Sequence, residues 1–234
     1  MRRGCPRCCG VRLRADSGQS AREAAQQPDG SRVGDRADAL ARGTDGQIAG
    51  AVGREQVRIR TAVERALHRD LVELDAYPAA TAEHLLDGLV RFRPHVVHFS
   101  GHSAQGLIYF EQDVDPHHEE AIVTAKAFAR AIAAADDPPL LVLLNSCHSA
   151  AQAKKLLDTV PFAIGMSDSI ADTDAITFAA RFHTSVADGQ SIQAAHALGQ
   201  AAVELAGLPD HDLPTLECLA DVDPAATFLV TPPR

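Results

Sequence analysis

The chain has no excess of positive charge. Its 22 Lys and Arg face 31 Asp and Glu, which gives a net charge of -9 over 234 residues. That balance argues against non-specific nucleic-acid binding. No apolar run approaches the roughly 18 residues that a membrane span needs. The opening MRRGCPRCCG is basic, but no apolar stretch follows it, so it makes a poor secretory signal. Cysteine is sparse. Cys5, Cys8, Cys9, Cys147 and Cys218 do not make a disulfide framework for a chain of this length, and a reducing cytoplasm is the expected setting. Hydrophobic residues make up 46% of the chain, enough for a sizeable core in one main domain.

The first 50 residues lack aromatics altogether and hold five bulky aliphatics: Val11, Leu13, Val33, Leu40 and Ile48. Nine arginines against six acidic residues make this part +3 and leave -12 for the rest. Such a segment buries too little apolar surface to offset chain entropy. Residues 1–53 therefore read as a low-complexity, disordered segment, and 54–234 as the folded domain. Cys5, Cys8 and Cys9 suggest zinc, but no second ligand pair follows, and no metal is expected.

From Arg54 the pattern becomes regular. Ile59, Val63, Ala66 and Leu67 mark an amphipathic helix. LVELDAY alternates as a strand, with Val72, Leu74 and Ala76 on one side. Leu85, Leu86, Leu89 and Val90 mark a helix that closes before Pro94. HVVHFS at 95–100 is rich in β-branched and aromatic residues, as a strand should be. LIYF at 107–110 is a short strand, followed by a polar loop that contains His117 and His118. Thr124 can cap a helix carrying Phe128 and Ile132. LLVLLN is the most apolar strand, as expected at the centre of a sheet covered on both faces. A short helix with Leu156 and Leu157, the strand VPFAIGM and two further helices follow. TLECLA and TFLV are weaker strand candidates.

Alternating strands and helices predict a mainly parallel α/β sheet. Sites in such sheets form outside the carboxyl ends of the strands. That rule selects Ser100-Gly101-His102-Ser103 and Asn145-Ser146-Cys147-His148. An imidazole beside a thiol activates it as a nucleophile, and backbone N–H groups can hold an oxyanion. A lone cysteine at a strand end is often a small apolar filler. The base at the same sheet edge favours a nucleophile here. His148 adjoins Cys147 in sequence and so points elsewhere, which suggests a structural or surface role. His95 and His98 face opposite sides of a strand and do not make a metal site with His102.

HVVHFSGHS, LLVLLNSCHSA and FAIGMSDSIADTDAITFAARF together resemble the CHAT domains, caspase-like cysteine peptidases of the caspase–separase clan. The resemblance spans roughly Thr61 to Val230. It implies a caspase-like three-layer sandwich with helices on both faces of the sheet. It implies His102 as the catalytic imidazole and Cys147 as the nucleophile. The oxyanion donors would be the backbone N–H groups of Ser103 and Cys147. No metal or organic cofactor is required. Relatives are often proteolytic effectors in bacterial defence or regulated cell death, released by partner sensors. The partners implied are thus a protein or peptide substrate and an activating sensor, with no nucleic acid or membrane.

Three features depart from the family pattern: two residues and an opening strand. Ser103 stands where Gly is usual. Asn145 stands where metacaspases carry an Asp that helps bind a basic P1 side chain. Asp168 in GMSDS matches a P1-reading Asp of separases, although it equally suits a turn or a helix cap. The family also opens with an apolar strand beside the catalytic one, and residues 1–50 offer no evident candidate. A partner supplies that strand, the segment hides a poor substitute, or the chain is truncated. Two other readings accompany the peptidase: a catalytically decayed binding or signalling module, and an esterase using the same dyad.

Overall fold

The computed structural model describes residues 9–15, 51–77, 79–104, 106–111 and 120–231. In chain order the elements are β1 (Cys9–Ala15), α1 (Ala51–Glu64), β2 (Val72–Tyr77), α2 (Ala82–Arg91), β3 (Val96–Ser100), β4 (Ser103–Ala104), β5 (Leu107–Glu111), β6 (Glu120–Thr124), α3 (Ala125–Ala133), β7 (Leu141–Asn145), α4 (Ala150–Leu156), β8 (Phe162–Met166), α5 (Asp172–Ala187), α6 (Ile192–Leu205) and β9 (Pro214–Cys218). A 3-10 turn at Arg69–Leu71 leads into β2.

Six strands form the main sheet, in the order β2-β1-β3-β7-β8-β9. β3, β7 and β8 pair in parallel at its centre. β1 and β9 run against them, and β2, antiparallel to β1, runs with them. β4, β5 and β6 form a separate small antiparallel sheet. β6 had no counterpart among the elements expected from the sequence, which offered a polar loop to about Pro116 and then a helix capped by Thr124.

β1 corrects the expectation of a missing first strand. Cys9–Ala15 pairs with β2 on one side and β3 on the other, so β3 is not left as an open edge. Its seven residues, CGVRLRA, carry a short Val-Arg-Leu-Arg alternation. Composition averaged over fifty residues hides a signal that brief. The predicted disorder of the other residues before Ala51, and the solvated reading of His117 and His118, lie outside the described residues.

Two apolar layers sandwich the sheet. Alternate residues of a strand face opposite sides. Val96, Leu141, Leu143, Ile164 and Met166 pack with Phe178, Phe182 and Val186 of α5 and with α6. Val97, Phe99, Val142, Leu144 and Ala163 pack with α2, α3 and α4 through Leu85, Phe128, Ile132 and Leu156. Side chains of this size, buried fully as Phe128 and Phe178 are, each contribute about 1.5–3 kcal/mol. α1 joins α5 and β2 through Ile59, Val63, Ala66 and the half-buried Val72, Leu74 and Ala76.

The helix faces match the sequence in part. Leu67 was expected on the buried stripe of α1 but is 77% exposed: the helix ends at Glu64, and in the turn that follows Ala66 stays buried while Leu67 faces out. Leu86 and Val90 of α2 also face outward, while Leu85 and Leu89 are buried. The first turn of α2 is held by Thr81, whose Oγ1 accepts from His84 N while His84 Nδ1 accepts from Thr81 N. Thr124 caps α3 as expected, accepting from Ala127 N at 3.1 Å. TFLV forms only a single bridge, Ser191 to Phe228. Among the described residues, no helix is long and apolar enough to cross a membrane.

Candidate active site

β3 and β7 end together. Their last paired residues are Ser100 and Asn145. Two residues beyond each lie His102 and Cys147, so the pairing register carries both to the same edge of the sheet. Gly101, at φ 153°, makes the turn between β3 and His102. On the β7 side, Ser149 ties the loop down. Its one hydroxyl proton is shared between the carbonyls of Leu144 (2.8 Å) and Ser146 (2.7 Å), and its oxygen accepts from Met166 N of β8. This loop lies directly on β8 at Gly165, where a Cβ would sit 2.7 Å from the Ser149 carbonyl oxygen.

His102 and Cys147 line one cleft, together with Glu55, Ser100, Asn145, Ser146, Ile170, Asp172, Ala175 and Ile176. The imidazole of His102 is exposed and Cys147 is half-buried. The Cys147 thiol meets the Ile170 carbonyl at 3.9 Å. Ser103 opens β4 opposite Ile108, and its hydroxyl donates to the Cys147 carbonyl at 2.5 Å. Serine needs no left-handed backbone there: among described non-glycine residues, only Arg93 and His148 have positive φ. Ser103 therefore links the histidine loop to the cysteine loop.

His148 turns away from the cleft, with φ 55°. Its Nδ1 lies 3.4 Å from Asp168 Oδ1, and its Nε2 is 3.0 Å from Ser169 Oγ. Asp168 is exposed, carries this contact and holds Ser169 N. It stands at the rim beside His148, outside the set of residues that line the cleft. Asp172, in the first turn of α5, does line it.

The residue that sequence reasoning missed is Glu55. It sits on the buried stripe of α1 with Ile59 and Val63 at four-residue spacing, and is 2% exposed. Ser100 Oγ donates to its Oε2. Asn145 Nδ2 donates to its Oε1 at 2.5 Å and to the Ala175 carbonyl at 3.1 Å. His98 Nε2 approaches the same Oε1 at 3.3 Å. Asn145 is thus a positioning residue, fastening the end of β7 to α1 and α5. The clue in the sequence was an acidic residue in phase with an apolar stripe.

His98, wholly buried, continues this polar chain to His183 of α5, with 3.0 Å between Nδ1 and Nε2. Burial pushes the His183 pKa well below its ordinary 6.5, and the neighbouring His98 adds in the same direction. His183 is therefore neutral at pH 7. Asn145 Oδ1 and Ser146 Oγ are buried without partners at residues that line the cleft, so the floor offers unused hydrogen-bonding capacity. Among the described residues, no group of three or more His, Cys, Asp or Glu is arranged to hold a metal.

The CHAT domain family model matches residues 12–218, a span that begins within β1 and ends with β9. No curated protein matches the chain.

Proposed function

Because this chain belongs to the CHAT domain family, whose fold is caspase-like, we propose that it is a cysteine endopeptidase acting through Cys147 and His102. The observation that carries this reading is that both residues line one cleft at the carboxyl ends of adjacent parallel strands. In the first step Cys147 Sγ attacks the scissile carbonyl carbon, and the carbonyl π electrons move to oxygen. His102 takes the thiol proton and delivers it to the leaving amine as the C–N bond breaks. The oxyanion is held by the N–H groups of Ser103 and Cys147. Water then attacks the thioester, the C–S bond breaks and the acid leaves. The chemistry needs no cofactor.

A basic P1 side chain suits the acceptors near Cys147. Asp172 lines the cleft, and Asp168 stands beside His148 next to it. In the cell, the family resemblance supports a regulated effector of defence or cell-death signalling, released by a sensor protein.

One observation favours a second reading, a docking module whose site is idle: the Cys147 thiol is turned to the Ile170 carbonyl. Alkylation of the native protein separates the two. Cys147 and Cys218 are both half-buried and unpaired, so exposure alone predicts similar rates. The peptidase reading expects iodoacetamide to label Cys147 at least tenfold faster, and His102→Ala to abolish the difference. Equal, slow labelling of both, read by peptide mass mapping, favours the idle module and sinks the enzyme.

A further inference from the structure

The chain carries more acid than base, yet one trough beside the cleft is lined, among the described residues, by arginines and by no carboxylate. α1 and α5 form its walls. Its near end is lined by Val57, Arg58, Thr173, Ile176 and Thr177, with Arg54 and Gly53. Ile176 also lines the cleft that holds Cys147, so the trough adjoins that cleft. Its far end continues from Arg58 and Thr177 past Arg65 and Arg181. Arg58, Arg65 and Arg181 are exposed, and none has an ion-pair or hydrogen-bond partner among the described residues. Three unpaired guanidinium groups along one groove, in a chain of net charge -9, make a local field opposite in sign to that of the whole molecule.

We propose that this trough is an exosite that binds an acidic stretch of the polypeptide whose scissile bond lies in the cleft. The inference rests on the peptidase reading for its choice of occupant, and on the trough's own charge for its chemistry. Arg58 lies on α1 and Arg65 in the turn just past its end; seven residues at helical rise span about 10.5 Å. An extended peptide advances about 3.3 Å per residue. The substrate would therefore carry Asp or Glu at positions two to four residues apart, starting within a few residues of the scissile bond. Ile176 lines both the cleft and the trough's near end, so one bound strand can reach from one to the other. A nucleic acid is the weaker candidate, because the negative charge of the whole chain repels an extended polyanion.

The test uses the full chain with Cys147→Ser, so that bound peptide is not turned over. Two fluorescein-labelled twelve-residue peptides share a central Arg. One carries three Glu at three-residue spacing and the other carries Gln at the same positions. Exposed charge pairs are individually weak, and three together give about tenfold. Anisotropy is expected to show about tenfold tighter binding of the Glu peptide at low salt, narrowing as salt screens the pairs. The triple variant R58Q/R65Q/R181Q removes the preference, and R58K/R65K/R181K restores most of it. Equal affinity for the two peptides overturns the proposal. So does a preference that survives the Gln variant, or tighter binding of a twelve-nucleotide oligothymidylate than of the Glu peptide. Iodoacetamide labelling of the chain with Cys147 intact separates the two ideas. Slow Cys147 labelling with an intact Glu preference removes the peptidase and leaves the exosite, whereas fast labelling with no preference does the reverse.

Discussion

Glu55→Ala probes the polar link beneath the candidate site. The substitution removes the acceptor for Ser100 Oγ and for Asn145 Nδ2, both on buried residues, and the carboxyl group beside His98 Nε2. A buried donor left unmade costs about 1–3 kcal/mol. Asn145 keeps the Ala175 carbonyl, which puts its loss at the low end. Ser100 has no second partner among the bonds described. The sum is about 3 kcal/mol, within the ~5–15 kcal/mol that holds a typical domain together, so the variant folds. For a domain of this size the melting temperature should fall by roughly 6–12 °C. Urea unfolding should show a lower midpoint with an unchanged slope. Ser100 and Asn145 close the strands that lead to His102 and Cys147, so iodoacetamide labelling of Cys147 should slow in the folded variant. Glu55→Gln should fall between: its oxygen can still accept from Ser100, but its amide nitrogen then meets the donor of Asn145. A loss below about 0.5 kcal/mol in the Ala variant, with Cys147 labelled at the original rate, would refute the positioning role.

Three further predictions concern other parts of the account. His183 has a folded pKa below its unfolded value, so its contribution to stability is full above about 6.5 and is lost as pH falls toward the folded pKa. Between pH 7.5 and 5.5 the intact chain should lose about 1 kcal/mol more in urea unfolding than His183→Gln; equal losses in the two proteins contradict the assignment. Gly165→Ala forces a methyl group against backbone atoms of Ser149 and Ala150. It should cost about 1–3 kcal/mol and slow Cys147 labelling, and an unchanged melting temperature would show that the loop yields freely. Asp172→Ala should weaken a preference for Arg or Lys at P1 in a peptide library more than Asp168→Ala does, since Asp172 lines the cleft and Asp168 sits beside His148. The opposite ranking would return the P1 role to Asp168.

The parts legible in the sequence were those with strong local patterns. LVLLN and VVHFS announce buried parallel strands, and Thr124 marks the start of its helix. The meeting of His102 and Cys147 was foreseeable because parallel neighbours share one carboxyl edge. β1 was not foreseeable from composition, since its seven residues sit in a long polar segment and gain strand structure from pairing on both sides. Glu55 was hidden for another reason. An acid in phase with a helix's apolar stripe reads as an exposed residue until Ser100 and Asn145 supply the donors that make its burial tolerable. The arginine trough needs two helices side by side, and no single helix pattern shows it.

The central claim is that Cys147 attacks the carbonyl of a bound peptide with His102 as its proton acceptor. The direct measurement is the intact mass of the full chain after incubation with a peptidyl acyloxymethyl ketone bearing Arg at P1. In that reaction the cysteine sulfur displaces the carboxylate leaving group and forms one C–S bond. The account predicts a single adduct of the peptidyl ketone mass, mapped to Cys147 and lost in His102→Ala. No adduct, or adducts shared equally between Cys147 and Cys218, would contradict it.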